Sequence, residues 1–457
     1  MSGAGSLASA LAGLIERRFA LHARGTTPAR EMVAGLTTFL AAAYLIVVIP
    51  SLLASGGMDR AAATTGVIVL IAAGSIAMAL YANLPFIVGP GIGGSAILGV
   101  TLAQVEHVPW TTGLGIAMLS GVAFVVLTLT GARGMVVRII PPQIKLGLGA
   151  SIGLFIALLG LRDAGMVAVD VKRHAFALGD FSQPGPVIAL IGLAVAIALQ
   201  TRRVPGAILA GIVVAALAGV PLGLTSLKGS LAQPASFLPA SPLPVMGKVD
   251  LAGALTLAAL PYMFTFFAAE FFSTLGTTLA IGAKAGLTDE HGNLPGIEKP
   301  FLIDSLAATL GPLIGVPGGT ALVESAAGVE AGGRTGLTTL TAAGLFLLAL
   351  LAMPLAMAIP RQATAPALIL IGIAMLGTIR TAARSSSETD GITDMFAPMA
   401  MMLLTLISNS FGTGIAGGLL VHVLVQLLAG RWREIPPGLF ILTLPLGYYF
   451  YGAATAH

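Results

Sequence analysis

Apolar residues in this chain do not alternate with polar ones. They run in blocks of up to about twenty, the length that crosses the hydrocarbon core of a bilayer as a helix, and clusters of charge, Gly and Pro separate most of them. The pattern predicts fourteen such segments, at 33–54, 61–82, 84–103, 111–131, 140–161, 185–200, 205–223, 252–282, 300–316, 317–328, 335–359, 363–379, 395–411 and 412–430. A further apolar stretch, 437–452, follows Arg431 and Arg433 and could span, re-enter or lie at the interface. Before the first segment, Leu7, Leu11, Leu14, Ile15 and Phe19 fall near one helical face, with Arg17, Arg18 and Arg24 after most of them. A secretory signal would carry its basic residues first, so the expectation is a short interfacial helix on the inner leaflet.

Composition agrees with the pattern. Of 457 residues, 56% are hydrophobic and 9% charged, against about 25% charged in a soluble domain. Mean hydropathy is +0.96. The class is a polytopic helical membrane protein. With no cysteine in the chain, disulfides, thiol catalysis and Cys-ligated metals are excluded, and nothing resembles a nucleic-acid-binding surface. No cofactor is expected.

Charge then orients the segments. With the N-terminus inside, fifteen of the 23 Lys and Arg residues fall in inner loops and seven in outer ones, while Lys145 lies within a segment. The bias follows the positive-inside rule and places the N-terminus in the cytoplasm of a multi-pass cell (inner) membrane protein. The longest outer loops are 162–184 and 224–250. The expected organisation is a cytoplasmic N-terminal segment (1–32), a first seven-segment repeat (33–223), an external linker (224–250), a second repeat (251–430) and a tail with the extra apolar stretch (431–457).

The two halves match at one offset. Residues 38–42, Thr-Phe-Leu-Ala-Ala, correspond to 265–269, Thr-Phe-Phe-Ala-Ala, and Pro90-Gly91 to Pro317-Gly318, both 227 positions apart. Because seven is odd, the second half must sit inverted in the membrane, an arrangement found in secondary transporters. The second match falls where two segments are broken, at Val88-Gly89-Pro90-Gly91-Ile92-Gly93-Gly94-Ser95-Ala96 and at Gly315-Val316-Pro317-Gly318-Gly319-Thr320-Ala321-Leu322-Val323-Glu324-Ser325. Unwound backbone at membrane depth persists only inside protein or along a cavity. The alternative is that these glycines only let helices pack closely. The paired positions favour two breaks facing each other near mid-membrane, their freed backbone groups directed at a shared site.

Acids inside apolar segments stand out, since each costs about 2.5–3.5 kcal/mol at mid-membrane. Of nineteen Asp and Glu residues, Glu270, Asp304 and Glu324 fall within predicted spans. A buried carboxylate can accept hydrogen bonds from a ligand's N–H edge or carry a proton. Glu270 lies deepest and has no cationic partner in segments one, three, eight or ten, so it is the expected proton carrier. Glu324 stands where broken segment ten resumes its helix, placed to accept from ring N–H groups, with backbone at Ser95, Ala96, Leu322 and Val323 supplying the remaining donors and acceptors. Asp304 reads as a cap or packing acid, and His422 and Lys145 as a packed and a snorkelling residue.

Several stretches resemble the hypoxanthine–guanine–adenine (AzgA-like) permease branch of the nucleobase–cation symporters, within the nucleobase–ascorbate transporter superfamily. They are Glu31-Met32-Val33-Ala34-Gly35-Leu36-Thr37-Thr38-Phe39-Leu40, Leu80-Tyr81-Ala82-Asn83-Leu84-Pro85, Ala283-Lys284-Ala285-Gly286-Leu287 with Gly292-Asn293-Leu294-Pro295, and Glu324-Ser325-Ala326-Ala327-Gly328-Val329 continuing to Gly332-Gly333-Arg334-Thr335-Gly336-Leu337. The resemblance implies an all-α polytopic fold of fourteen segments in a 7+7 inverted repeat, with core and gate domains and the base bound between broken segments three and ten. It implies nucleobase uptake, usually by proton symport, with the segment-eight acid and the segment-ten Glu, here Glu270 and Glu324, holding the base. Thr38 and Thr274 complete the expected substrate-binding set.

The family's Asp-Leu-Phe-Asp-Thr reads Glu270-Phe271-Phe272-Ser273-Thr274 here. Ser95 and Ile49 replace usual Asn residues, and Pro317-Gly318-Gly319 replaces a Ser/Thr run. Fewer polar groups remain, which leaves the substrate open between a purine such as hypoxanthine, guanine or adenine and another planar heterocycle. The expected partners are that small molecule, a proton and the bilayer, with a homodimer open as the assembly. A same-fold anion transporter of the sulfate-permease type is the alternative. An intramembrane enzyme would need a catalytic pair or metal ligands at depth, which the chain lacks.

Overall fold

The computed structural model describes residues 13, 15–131, 142–170, 175–225, 239–289, 294–377, 391–408 and 410–455. Segment one (Pro28–Ser55) starts at Thr27, whose Oγ1 accepts from Arg30 N at 3.3 Å, with Pro28 at the first helical position. It tightens at Ala43 and Tyr44, where Ile46 N donates to Ala43 O, and Val47 N and Val48 N both donate to Tyr44 O. Segment two (Arg60–Ala82) is capped by Asp59, which accepts from Ala62 N at 2.7 Å. Segment three is a short strand, β1 (Val88–Gly89), followed by the half-helix Ile92–Val105. Then come segments four (Trp110–Leu129), five (Pro142–Asp163), six (Pro184–Thr201) and seven (Ala207–Gly219).

The second half repeats the order. Segment eight is Leu257–Lys284, nine Glu298–Leu310 with a 3-10 turn to Ile314, and ten a short strand followed by the helix Ser325–Glu330. Segments eleven (Gly336–Ala358), twelve (Arg361–Leu376), thirteen (Gly391–Ser408) and fourteen (Phe411–Leu428) complete it. The apolar stretch after Arg433 forms one more helix, Pro437–Thr455, packed on segment fourteen.

Packing follows the repeat. Nine lies on four as eleven lies on two; thirteen lies on five as six lies on twelve; thirteen pairs with fourteen as six pairs with seven. Exchanging the halves maps each of these contacts onto another. Small residues set the closest approach. A Cβ at Gly153 would stand 2.6 Å from Gly372 O, and one at Gly372 2.5 Å from Gly153 O, so segments five and twelve meet backbone to backbone. Around segment eight, Phe124, Phe271 and Phe301 pack edge to face with centroids 5.5–6.0 Å apart, tying segments four, eight and nine together.

Two features differ from the expected loops. The 162–184 loop contains a hairpin, β2 (Val167–Asp170) on β3 (Ala175–Leu178). At the end of the 224–250 linker Asp250 caps a short helix, Leu251–Ala254, before segment eight begins. Its Oδ1 accepts from Gly253 N at 2.9 Å and its Oδ2 from Thr112 Oγ1 at 2.8 Å, anchoring the linker to segment four. In the N-terminal region, residues 1–12 and 14 lie outside the described residues, as does the side chain of Lys145.

Candidate functional site

The two breaks meet. β1 pairs antiparallel with β4 (Thr320–Ala321), Val88 opposite Ala321 and Gly89 opposite Thr320. Leu322 N extends the ladder to Ile87 O at 2.9 Å, and Ile87 N donates to Ser325 Oγ at 3.0 Å. Pro90 and Pro317 remove donors that a helix would need, and the crossed strands satisfy part of the backbone that both segments give up. Gly318 lies at φ +124°, a region closed to residues with a Cβ.

Each strand is held by a polar side chain from the segment before it. Ser75 Oγ accepts from Val88 N at 3.0 Å. In the other half, Asp304 Oδ2 accepts from Ala321 N at 2.7 Å, Thr274 Oγ1 at 2.6 Å and Thr320 Oγ1 at 3.3 Å. Val88 and Ala321 are themselves register partners, so the inverted repeat fixes both strands at one ladder position. Asp304 is fully buried and braces segment ten against eight and nine through Oδ2, while its Oδ1 is buried without a protein hydrogen bond.

Glu270 sits at the crossing. A Cβ built on Gly318 would lie 3.4 Å from its Oε1, and one on Gly94 3.8 Å away. The carboxyl therefore stands between the two breaks, 6% exposed, and its Oε2 is buried without a protein hydrogen bond. Phe266 packs beside Gly94, and the Phe271 cluster fixes the helix turn that carries Glu270. Glu324 stands at the N-cap position of the segment-ten helix, and its side chain makes no cap bond to that helix. Its Oε1 accepts from the Tyr44 hydroxyl, and its Oε2 is buried without a protein partner.

The other expected residues hold the framework. Thr274 Oγ1 is shared between Asp304 and Thr320. Thr38 Oγ1 donates to Ala34 O at 3.0 Å and packs where Gly328 leaves room, at the crossing of segments one and ten. Ser95 is fully buried, with its Oγ donating to Gly91 O at 2.9 Å and its N–H to the same carbonyl at 3.1 Å. Ala96 is buried beside it. Leu322 is buried with its N–H in the ladder, whereas Val323 is exposed. The donors left at the start of the segment-three half-helix are the N–H groups ahead of Ser95, which have no intrahelical acceptor.

Tyr44 escaped sequence reasoning. A tyrosine in an apolar run reads as a packing residue; the only cue was its phenol, which needs a partner when buried.

A second polar cluster lies at the far end of segments one and eleven. The carboxylate of Glu31, fully buried, accepts five hydrogen bonds, from the N–H groups of Arg334, Thr335 and Thr338 and the hydroxyls of Thr335 and Thr338. Asn83, at φ +51°, accepts from Gly336 N at 2.8 Å and donates to Phe19 O at 3.1 Å. The cluster draws together three stretches that sequence singled out separately, 31–40, 80–85 and 332–337.

Away from both clusters, a crevice of 210 Å³ lies between segments four and eight and the last helix, lined by Ser120, Ala123, Leu260, Met263, Phe264, Phe267 and Leu446. It carries neither acid and is not the candidate site.

An inverted repeat whose two broken segments cross beside buried acids defines a multi-pass membrane transporter. The chain belongs to the Permease family (Xan_ur_permease), the nucleobase–ascorbate transporters, which matches residues 29–408. Guanine/hypoxanthine permease PbuO of Bacillus subtilis is 34% identical over 93% of this chain and 98% of its own length. Adenine permease AdeP of Escherichia coli is 32% identical over 94% of this chain and 95% of its own. Among solved structures, the transmembrane domain of the cyanobacterial bicarbonate transporter BicA superposes with a TM-score of 0.60 at 16% identity, covering 83% of this chain and 96% of that one. The murine anion transporter Slc26a9 in its inward-facing state gives 0.64 at 12% identity, over 88% of this chain and 68% of that one. At those identities the likeness shows the fold alone.

Proposed function

We propose that this protein carries a purine nucleobase across the cell membrane together with a proton, and that the base binds at the crossing of segments three and ten. The observation that carries the reading is the set of buried carboxyl oxygens that find no protein partner beside the two breaks, Glu270 Oε2 and Glu324 Oε2, with Asp304 Oδ1 a third. An unpaired buried polar group costs roughly 1–3 kcal/mol. A planar ring with N–H and C=O edges removes that cost by donating to Glu324 and accepting from the N–H groups ahead of Ser95. A small anion would meet two acids in the same space, which argues against anion transport in this chain. Ala96, Leu322 and Val323 shape the slot, while Thr38, Thr274 and the Ser95 hydroxyl act through the framework they brace.

Glu270 is the proposed proton carrier. Among the described residues no cation pairs with it, so a proton is the partner that neutralises it as the site passes between the two sides. One charge moving through 100 mV yields about 2.3 kcal/mol, enough for more than tenfold accumulation at about 1.4 kcal/mol per decade. Segments one to four and eight to eleven would form the moving core, and the remaining segments the gate, with the N-terminus in the cytoplasm.

Uptake of labelled hypoxanthine, guanine and adenine by cells expressing the protein, with and without a protonophore, tests the reading. Accumulation that the protonophore abolishes supports it. Uptake indifferent to both pH and protonophore overturns proton coupling, and absence of uptake for every purine overturns the substrate class.

A further inference from the structure

We propose that Tyr44 is a specificity-determining positioning residue, whose hydroxyl occupies one oxygen of Glu324 and so presents the base with a single acceptor. The inference deepens the reading above and rests on it. Tyr44 is 1% exposed and sits at the tightened joint of segment one, where its own carbonyl takes both Val47 N and Val48 N. That joint directs the phenol toward segment ten, and its hydroxyl donates to Glu324 Oε1. Glu324 Oε2 remains the buried, unpartnered oxygen.

A free carboxylate is a two-pronged acceptor that matches two adjacent N–H groups, as it matches a guanidinium. A carboxylate oxygen can take more than one donor, as Asp304 Oδ2 and Glu31 Oε2 do here, so for this the Tyr44 hydroxyl must sit on the Oε1 lone pair that an adjacent N–H would use; a carboxylate filled there matches a single N–H. Hypoxanthine and guanine differ only in the 2-amino group of guanine, which lies next to the ring N1–H. A two-pronged Glu324 rewards that amino group, whereas a one-pronged Glu324 gains nothing from it. The site therefore takes purines that offer Glu324 one N–H, and Tyr44 sets that limit without touching the base.

Two measurements decide it. In competition uptake by the wild-type protein, the inhibition constants of guanine and hypoxanthine should agree within about threefold, whereas two-pronged binding would separate them by about tenfold or more. In Tyr44→Phe, which keeps the ring and its packing, the guanine-to-hypoxanthine ratio of kcat/KM should rise about tenfold, through KM more than kcat. Guanine favoured tenfold by the wild-type protein, or an unchanged ratio in a transporting Tyr44→Phe variant, overturns the role of Tyr44. The wild-type competition needs no variant to fold. Wild-type protein that takes up no purine overturns the substrate reading and this inference with it, an outcome distinct from purine uptake with an unchanged ratio.

Discussion

At the scale of single residues, the acids were legible in sequence because a carboxyl in an apolar block has no cheap explanation. Glu270 and Glu324 end with one oxygen each buried and unpaired beside the breaks. What sequence could not reveal is how their neighbours divide. Thr274 and Ser95 look like ligand hydroxyls in one dimension, yet protein acceptors take both, because a buried hydroxyl pairs with the nearest acceptor, which only the fold supplies. Tyr44 was illegible for the opposite reason: its partner lies 280 positions away. Glu324→Gln keeps the shape but replaces acceptor capacity with a donor. Base binding, followed by isothermal titration on purified protein, should weaken about tenfold or more, while the thermal midpoint without ligand moves little. Wild-type affinity in that variant would make Glu324 structural and leave recognition to Glu270.

At the scale of elements, the 227-residue offset foretold that the breaks correspond, and the β1–β4 pairing is the physical form of that correspondence. The hairpin at 167–178 was missed because loop sequence of that length carries no periodicity strong enough to separate strand from coil. The Glu31 cluster was visible only as separate motifs. Its geometry predicts a large stability effect. Glu31→Ala strands the N-terminal N–H groups of segment eleven and two buried hydroxyls, and should lower stability by at least about 2 kcal/mol. Thermal unfolding in detergent checks this, and an unchanged midpoint would show the donors find other partners. The linker anchor gives a pH signature. The Gly253 N–H and then the Thr112 hydroxyl hold the Asp250 carboxyl below its ordinary range. A depressed carboxyl stabilises the fold above its unfolded pKa of about 3.9 and loses that contribution as pH falls through the folded value. Asp250→Asn should therefore lower the unfolding midpoint at neutral pH, and the gap to wild type should close below about pH 4. A gap independent of pH would mean the anchor does not titrate.

At the scale of the whole molecule, the class and the segment count were readable because a bilayer imposes one length and one polarity on every crossing. Which segments pack together was not, since apolar helices in lipid carry little sequence record of their neighbours. The structure supplies it as two sets: segments five, six, seven, twelve, thirteen and fourteen contact one another most, and the remaining eight surround the crossing. The site hangs from the second set, with Glu270 on segment eight and Glu324 on segment ten, so motion of one set against the other would carry the acids and the bound base together.

The central claim is that proton movement on Glu270 drives purine accumulation through this site. Its most direct test is labelled purine uptake into proteoliposomes with an imposed pH gradient, acid outside, comparing wild type with Glu270→Gln. The account predicts that wild type concentrates the base at least about tenfold and loses the gain when a protonophore is added, while Glu270→Gln exchanges base across the membrane without accumulating it. Equal accumulation by Glu270→Gln and wild type, or accumulation by wild type that survives the protonophore, would contradict it.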